Sequence, residues 1–232
     1  MNPEHLNKSN RESSGVEDPT ALLISGCSEL GIRLSTRQVN QLMRYLSELQ
    51  KWNQKINLTA LRQNKDIIIK HFIDSLTPLV FLQAEAHSKW IDVGSGAGFP
   101  GLVLKIACPQ VEMTLVEPSA KKAAFLHHLI GLFEMRYVSI INQRIEHWLQ
   151  RSEVELFDLV MTRALSPEHV LNVSHRLLSK NGKILIFQGQ ENRQVTMNRL
   201  KDYPLLTLER IAPLRLPWSK ARRTLILIRI KE

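Results

Sequence analysis

Cysteine is scarce in this chain. Of its 232 residues only Cys27 and Cys108 are cysteines, and they lie far apart and outside any Cys-x-x-Cys spacing. Disulfide frameworks and zinc sites both need grouped cysteines, so the sequence excludes both classes of small stapled protein. We expect two reduced, buried thiols and no bound metal.

Long apolar runs are also missing. No stretch approaches the roughly 18 apolar residues of a membrane-spanning helix. Near the first residue stand Glu4, Lys8, Arg11 and Glu12, where a signal peptide would have an apolar core. The sequence therefore predicts a cytoplasmic protein with no membrane partner, of a length that suits one α/β domain plus an extension.

Acidic residues are too few to balance the basic ones. The chain has 31 Lys and Arg against 22 Asp and Glu, a formal charge of +9. Basic residues crowd the C-terminal part, from Arg193 through Arg215 to Arg229. A positive field attracts polyanions, and nucleic acid is the commonest of these for a cytoplasmic protein. A solvated basic face that binds nothing is the alternative.

The most informative stretch is WIDVGSGAGFPGLVLK, residues 90–105. A short apolar run stops at Asp92, breaks into Gly94, Gly96 and Gly98, and resumes with helical spacing after Pro100, which predicts strand, turn and helix. Glycine there lets a ligand lie against the backbone at the helix start. A dinucleotide fingerprint would place its last glycine where Phe99 stands. The pattern D-x-G-x-G-x-G is instead typical of S-adenosylmethionine (SAM) sites, although a turn needed only for packing is possible.

Three later strand ends carry polar residues suited to the same ligand. Glu117 follows the strand VEMTLV at the distance where an acid holds the two ribose hydroxyls of an adenosine. Ile145 and Glu146 follow a third strand, in a loop expected to flank the adenine, and Arg163 stands just past a fourth strand. Because open α/β sheets bind ligands outside the carboxyl ends of their strands, these residues and Asp92 are expected to converge on one crevice.

The remaining segments complete the predicted architecture. Residues 1–19 are polar and without period, so they are expected to form a disordered tail, and residues 20–85 an N-terminal helical extension. A helix through Val170 and Leu177 should end before Gly182, which would turn the chain into a fifth strand. Two further apolar runs give, for residues 86–232, a Rossmann-like SAM-dependent methyltransferase domain with a mainly parallel seven-stranded sheet flanked by helices. His71 lies on a polar edge of the last N-terminal helix; it is either a packed histidine or a catalytic residue facing the cleft.

The chain resembles a known family from about Leu30 onward. The motifs LQKWNQKINLTA, KHFIDSL, IDVGSGAGFPGLVL, VEPSAKKAAFL, QRIEHW and TRAL appear in the order typical of the small-subunit ribosomal RNA methyltransferase G family, also called glucose-inhibited division protein B. The resemblance implies SAM as cofactor and methyl transfer to N7 of a guanosine in 16S rRNA. It implies SAM contacts at Gly94, Phe99, Ile145, Glu146 and Arg163. The partner would be 16S rRNA or the small ribosomal subunit, bound by a monomer.

One departure from the family and three rival functions remain. Gln188 stands where the family commonly has lysine at the end of the fifth strand, which removes a charge on the expected substrate side. The rivals are a small-molecule SAM methyltransferase, an RNA-binding ribosome assembly factor with a vestigial cofactor pocket, and a nicotinamide oxidoreductase. Guanine N7 carries a lone pair and no proton, so transfer to it needs alignment and no general base. The absence of Asn/Asp-Pro-Pro-Tyr and of Pro-Cys at the fourth strand end agrees with this chemistry.

Overall fold

The computed structural model describes residues 18–151, 153–163, 165–191, 193–219 and 221–231. Within these residues, seven strands form one sheet in the order β3-β2-β1-β4-β5-β7-β6. They are β1 (Lys89–Val93), β2 (Glu112–Val116), β3 (Val138–Ile141), β4 (Phe157–Arg163), β5 (Leu178–Gln188), β6 (Leu206–Arg215) and β7 (Arg222–Ile230). Strands β1 to β5 pair in parallel, and β7 runs antiparallel to both β5 and β6. The prediction of a mainly parallel seven-stranded sheet is confirmed.

Helices cover both faces of this sheet. Before it come α1 (Pro19–Glu29), α2 (Thr36–Asn53) and α3 (Asn64–Ile67); α3 continues through a π-helical segment (Ile68–Ile73) and α4 (Asp74–Leu76) into a 3-10 turn (Thr77–Val80). Between and after the strands lie α5 (Gly101–Ala107), α6 (Ala120–Leu132), α7 (Ile145–Trp148), α8 (Glu168–Leu171), α9 (Ser174–Leu177) and α10 (Arg193–Leu200). Apart from residues 18 and 19, the predicted disordered tail lies outside the described residues.

Two local predictions need correction. The expected single helix through Leu177 is two short helices, α8 and α9, and β5 begins at Leu178 instead of after Gly182. Leu178 pairs with Phe157 of β4, and a Cβ on Gly182 would come within 2.6 Å of the Phe157 carbonyl oxygen. Strand pairing therefore extends β5 backwards, and glycine allows the close approach. Ile145 and Glu146, expected in a loop, form the first turn of α7.

The N-terminal helices pack directly against the glycine-turn unit. α2 begins with a capping box, in which Ser35 and Gln38 each bond the other's backbone N–H. The Gln38 amide also donates to the carbonyl oxygens of Ile106 and Ala107 at the end of α5. The buried face of α2 belongs to the same hydrophobic core as α5 and β1. The division of the chain at residue 86 stays a prediction, but the extension forms part of the wall beside the glycine turn.

Candidate active site

A cavity of about 500 Å³ opens at the carboxyl ends of β1, β2 and β4. Its lining combines apolar side chains with convergent polar groups, and its size is in the range of small-ligand sites. Most of the residues predicted from the sequence line it: His71, Gly94, Gly96, Phe99, Glu117, Ile145, Glu146 and Arg163. Of the four strand-end residues expected to converge, Glu117, Glu146 and Arg163 therefore meet at one crevice, whereas Asp92 does not line it.

The glycine turn exposes backbone to this cavity. Gly94 and Gly96 have φ angles of +81° and +59°, in the left-handed region that side chains rarely adopt. A Cβ on Gly94 would come within 2.5 Å of Leu165. A Cβ on Gly96 would meet no atom closer than the Gly94 carbonyl oxygen at 4.0 Å, so it would project into open space. The missing side chain at Gly96 leaves a backbone cradle that a ligand can approach closely.

Glu117 holds this turn in place while facing the cavity. Its Oε2 accepts from the N–H of Gly96 at 2.9 Å, and its Oε1 accepts from the N–H of Ser119 at 2.8 Å. The residue is only 5% exposed. Each carboxylate oxygen can accept a second hydrogen bond, so two acceptors remain for hydroxyl groups of a ligand.

Asp92 and Gly98 lie behind the turn and do not line the cavity. Asp92 is fully buried, and its Oδ2 accepts from the N–H of Gly101 at 2.8 Å at the start of α5. Its Oδ1 has no hydrogen-bond partner among the described residues. Burial raises the pKa of this carboxyl to about 7, against the opposing hydrogen bond from Gly101. The carboxylate therefore fixes the start of the helix, and direct contact of Asp92 or Gly98 with a ligand stays a prediction.

Phe99 forms an aromatic wall together with residues of the N-terminal helices. Its ring stacks on Tyr45 of α2 with centroids 5.5 Å apart, and on His71 with centroids 4.4 Å apart. The Tyr45 hydroxyl donates to the carbonyl oxygen of Ala97, within the glycine turn. The Arg163 guanidinium lies 5.3 Å from the centre of the Phe99 ring. The large residue that breaks the dinucleotide fingerprint is therefore an anchor between the extension and the turn.

The hydrogen bonds of His71 define its tautomer. Nη2 of Arg163 lies 3.1 Å from Nδ1 of His71, and a guanidinium can only donate, so Nδ1 accepts. Nε2 then carries the proton and donates to the hydroxyl of Thr59 at 2.7 Å. Burial, followed by the charge of Arg163, lowers the pKa of His71 to about 3. A neutral ring with both nitrogens engaged is suited to positioning Arg163 and is poorly suited to taking a proton from a substrate.

A buried carboxylate, Asp74, joins two arginines that are distant in sequence. Its Oδ2 lies 3.2 Å from Nη1 of Arg163, and both its oxygens lie 3.1 Å from Nε of Arg223, at the start of β7. Arg163 also donates to the carbonyl oxygen of Lys70 at 3.0 Å. Neither Asp74 nor Arg223 was among the site residues predicted from the sequence. The spacing of Asp74 three residues after His71 could have indicated the first, whereas no local pattern points to Arg223.

The opposite end of the cavity is more open and is partly basic. Ile145 is buried, whereas the Glu146 side chain is half-exposed and lies 3.6 Å from Nδ1 of His169. Lys122 and Arg144 also line the cavity, and sequence reasoning had not assigned them. Ile145 thus offers an apolar face and Glu146 a polar group next to it.

None of the described helices is both long and apolar enough to cross a membrane. Across the described ranges, no cluster of three or more His, Cys, Asp or Glu side chains could hold a metal ion.

Comparison with known sequences decides the family. The model of the family described as rRNA small subunit methyltransferase G matches residues 38–224. The chain belongs to the rRNA small subunit methyltransferase G family. A ribosomal RNA small subunit methyltransferase G from Bacillus velezensis is 35% identical over 210 residues, covering 89% of this chain and 88% of the relative. The one from Caldanaerobacter subterraneus is 33% identical over 213 residues, covering 90% and 88%. The resemblance found in the motifs is confirmed.

Solved structures confirm the fold of this methyltransferase G family member. Fibrillarin from Aeropyrum pernix, crystallised with natively bound S-adenosyl-L-methionine, aligns with a TM-score of 0.51 at 14% identity. The alignment covers 63% of this chain and 68% of fibrillarin. At this identity the likeness establishes the Rossmann-like methyltransferase fold alone.

Proposed function

We propose that this protein transfers the methyl group of SAM to N7 of a guanosine in 16S rRNA. Family membership supports the reaction class, and the cavity supports the cofactor. The observation that carries the cofactor assignment is the open space beside Gly96, next to the buried carboxylate of Glu117. SAM, when bound, supplies a methyl group on a positively charged sulfur. Its adenosine hydroxyls match the two free acceptor positions on Glu117.

The residues predicted from the sequence have proposed roles in holding SAM. Gly94 and Gly96 give the methionine end access to the backbone, and Ile145 and Glu146 supply an apolar face and a polar partner for the adenine. Phe99 contributes to the wall of the site. Asp92 holds the start of α5 in position, and contact of Asp92 and Gly98 with the methionine end of SAM stays part of the proposal.

Arg163 is the residue proposed to face both cofactor and RNA. It lines the cavity at the end of β4 and is held by His71, Asp74 and the Lys70 carbonyl. Guanine N7 attacks a methyl group directly through its lone pair, so alignment is the main task of the protein. The internal hydrogen bonds of His71 agree with a reaction without a general base, and we assign His71 a positioning role. A monomer acting in the cytoplasm completes the proposal.

Replacement of Glu117, just past the end of β2, tests the cofactor assignment. Glu117→Ala should weaken SAM binding by about ten- to a hundredfold, because charge-assisted hydrogen bonds contribute about 1.5–3 kcal/mol. Glu112→Ala is the matched control, since Glu112 begins the same strand at its opposite end. Titration calorimetry with SAM measures both. Equal affinities for the two variants would remove Glu117 from the site.

A second measurement tests the substrate. Wild-type protein with SAM should restore 7-methylguanosine to 16S rRNA from a deletion strain, read after nuclease digestion. Binding of SAM without transfer to that rRNA would favour an assembly factor or a small-molecule methyltransferase. Absence of SAM binding would exclude both the rRNA methyltransferase and the small-molecule methyltransferase.

A further inference from the structure

The hairpin between β6 and β7 has a basic, partly aromatic tip, which we define as residues 215–219 and 221–223. Arg215 ends β6 and Arg222 begins β7, and the two residues are paired across the hairpin. Both are exposed, and neither forms a salt bridge within the described part of the chain. Arg215 and Arg222 therefore present positive charge without an ion-pair partner among the described residues, whereas Arg223 pairs with Asp74.

Trp218 gives this tip an exposed aromatic surface. Its side chain is 46% exposed, and its φ angle of +49° is in the left-handed region that bulky residues rarely adopt. A Cβ on Gly26 of α1 would come within 2.7 Å of the Trp218 ring. The absence of a side chain at Gly26 therefore allows the indole to rest on α1. One part of the ring is supported and another part faces solvent.

The hairpin tip lies at the same end of the sheet as the cavity, beyond the carboxyl ends of the parallel strands. Gln188, at the carboxyl end of β5, pairs with Thr224, so Arg222 and Arg223 lie beyond that end. Asp74 then connects the tip to the cavity directly, because its carboxylate contacts both Arg223 and the cavity residue Arg163. The single carboxylate of Asp74 therefore links the hairpin tip to the proposed reaction site.

We infer that the hairpin tip docks single-stranded RNA beside the cavity, with Trp218 stacking on an unpaired base and Arg215 and Arg222 contacting phosphates. This inference rests on the proposed function. Charge complementarity favours a polyanion over a neutral partner, given the formal charge of +9. Proteins bind single strands by combining exposed aromatic rings with cations, because bases stack on the rings and phosphates pair with the cations, and the hairpin tip carries both kinds of side chain. Because the Trp218 ring already rests on α1, it loses little conformational freedom when it stacks on a base.

Substitutions at the tip test this surface in the full-length protein. Trp218→Ala should weaken binding of a labelled single-stranded 16S rRNA fragment about five- to 150-fold, the equivalent of about 1–3 kcal/mol per stacked base. Trp218→Phe should lose less, since a phenyl ring still stacks. Arg215→Ala and Arg222→Ala should each make the slope of log affinity against log salt shallower by about 0.7. Arg136→Ala is the matched control, because Arg136 is exposed near the start of β3, at the opposite edge of the sheet.

The outcomes are separable. SAM affinity should stay at the wild-type value in all four variants, and methyl transfer should show a raised KM with a nearly unchanged kcat. RNA binding by all the tip variants equal to that of Arg136→Ala would overturn the inference. Concentration-dependent sedimentation of the wild type that Trp218→Ala abolishes would instead assign the tip to self-association.

If Trp218→Ala does not fold, Trp218→Phe and the two arginine variants still decide. Failure of wild-type protein to bind SAM would count against the proposed function and would leave the RNA-binding result intact.

Discussion

Replacement of Asp74 by asparagine would remove the negative charge that two arginines share. The carboxylate is 3% exposed, and the side chains of Arg163 and Arg223 are 14% and 25% exposed. Asparagine keeps the shape but removes the carboxylate charge that both guanidinium groups contact. Breaking a buried ion pair by removing one partner costs about 3–5 kcal/mol. We expect this loss in the free energy of unfolding, or a fall of about 6–20 °C in Tm for a chain of this length.

The same helical segment offers a control. Asp66 and Lys70 form an ion pair with a 2.6 Å separation and side chains 36% and 39% exposed. Asp66→Asn removes the same charge from solvent-accessible surroundings, where such a pair contributes less than about 0.5 kcal/mol. Urea unfolding followed by circular dichroism measures both variants. A cost for Asp74→Asn no larger than that for Asp66→Asn would refute the reasoning.

Activity of the same variant tests the link to the site. Arg163 would lose one of its three anchors, so methyl transfer by the folded Asp74→Asn protein should fall more than transfer by Asp66→Asn. In a double-mutant cycle, Arg223→Ala should cost less stability in the Asp74→Asn background than in the wild type, because the shared charge is already gone. Additive effects would mean that the carboxylate and Arg223 act independently.

The remaining predictions concern His71 and Gln188. Because the folded-state pKa of His71 is about 3, below its ordinary value of about 6.5, the unfolded chain takes up the proton first as the pH falls. Relative to a His71→Gln variant, the wild type should therefore lose up to about 1.4 kcal/mol in the free energy of unfolding per pH unit below pH 6.5. Urea unfolding at several pH values measures this, and equal pH dependence in the two proteins would contradict it. Gln188 is half-buried at the end of β5 and pairs with Thr224, next to the proposed RNA-docking hairpin tip. Gln188→Lys should steepen the slope of log rRNA affinity against log salt by about 0.7–0.9 without altering SAM affinity. An unchanged or shallower slope would argue that the glutamine already makes an equivalent neutral contact.

Much of the fold was accessible from local patterns. Alternation and apolar runs give the seven strands, since each strand must bury side chains on a fixed period. The D-x-G-x-G-x-G spacing gives the turn, because glycine adopts the positive φ angles found at Gly94 and Gly96 without the strain that a side chain brings. The strand-end rule also gives Glu117 and Arg163. Local patterns failed at β5, where pairing of Leu178 with Phe157 extends the strand into a region that by itself suggests a turn.

The sequence by itself determined the family, the sheet and the glycine cradle, because these depend on residues close together in the chain and on ordered motifs. Only the tertiary structure decided how the site is held. Asp74 meets Arg223 across 149 positions, and Tyr45 meets Ala97 across 52. The structure also decided that Asp92, which stands at a strand end like Glu117, turns behind the loop to bond Gly101. Side-chain direction at a strand end depends on what packs against it, and for Asp92 that is the start of α5, whose Gly101 N–H donates to the carboxylate.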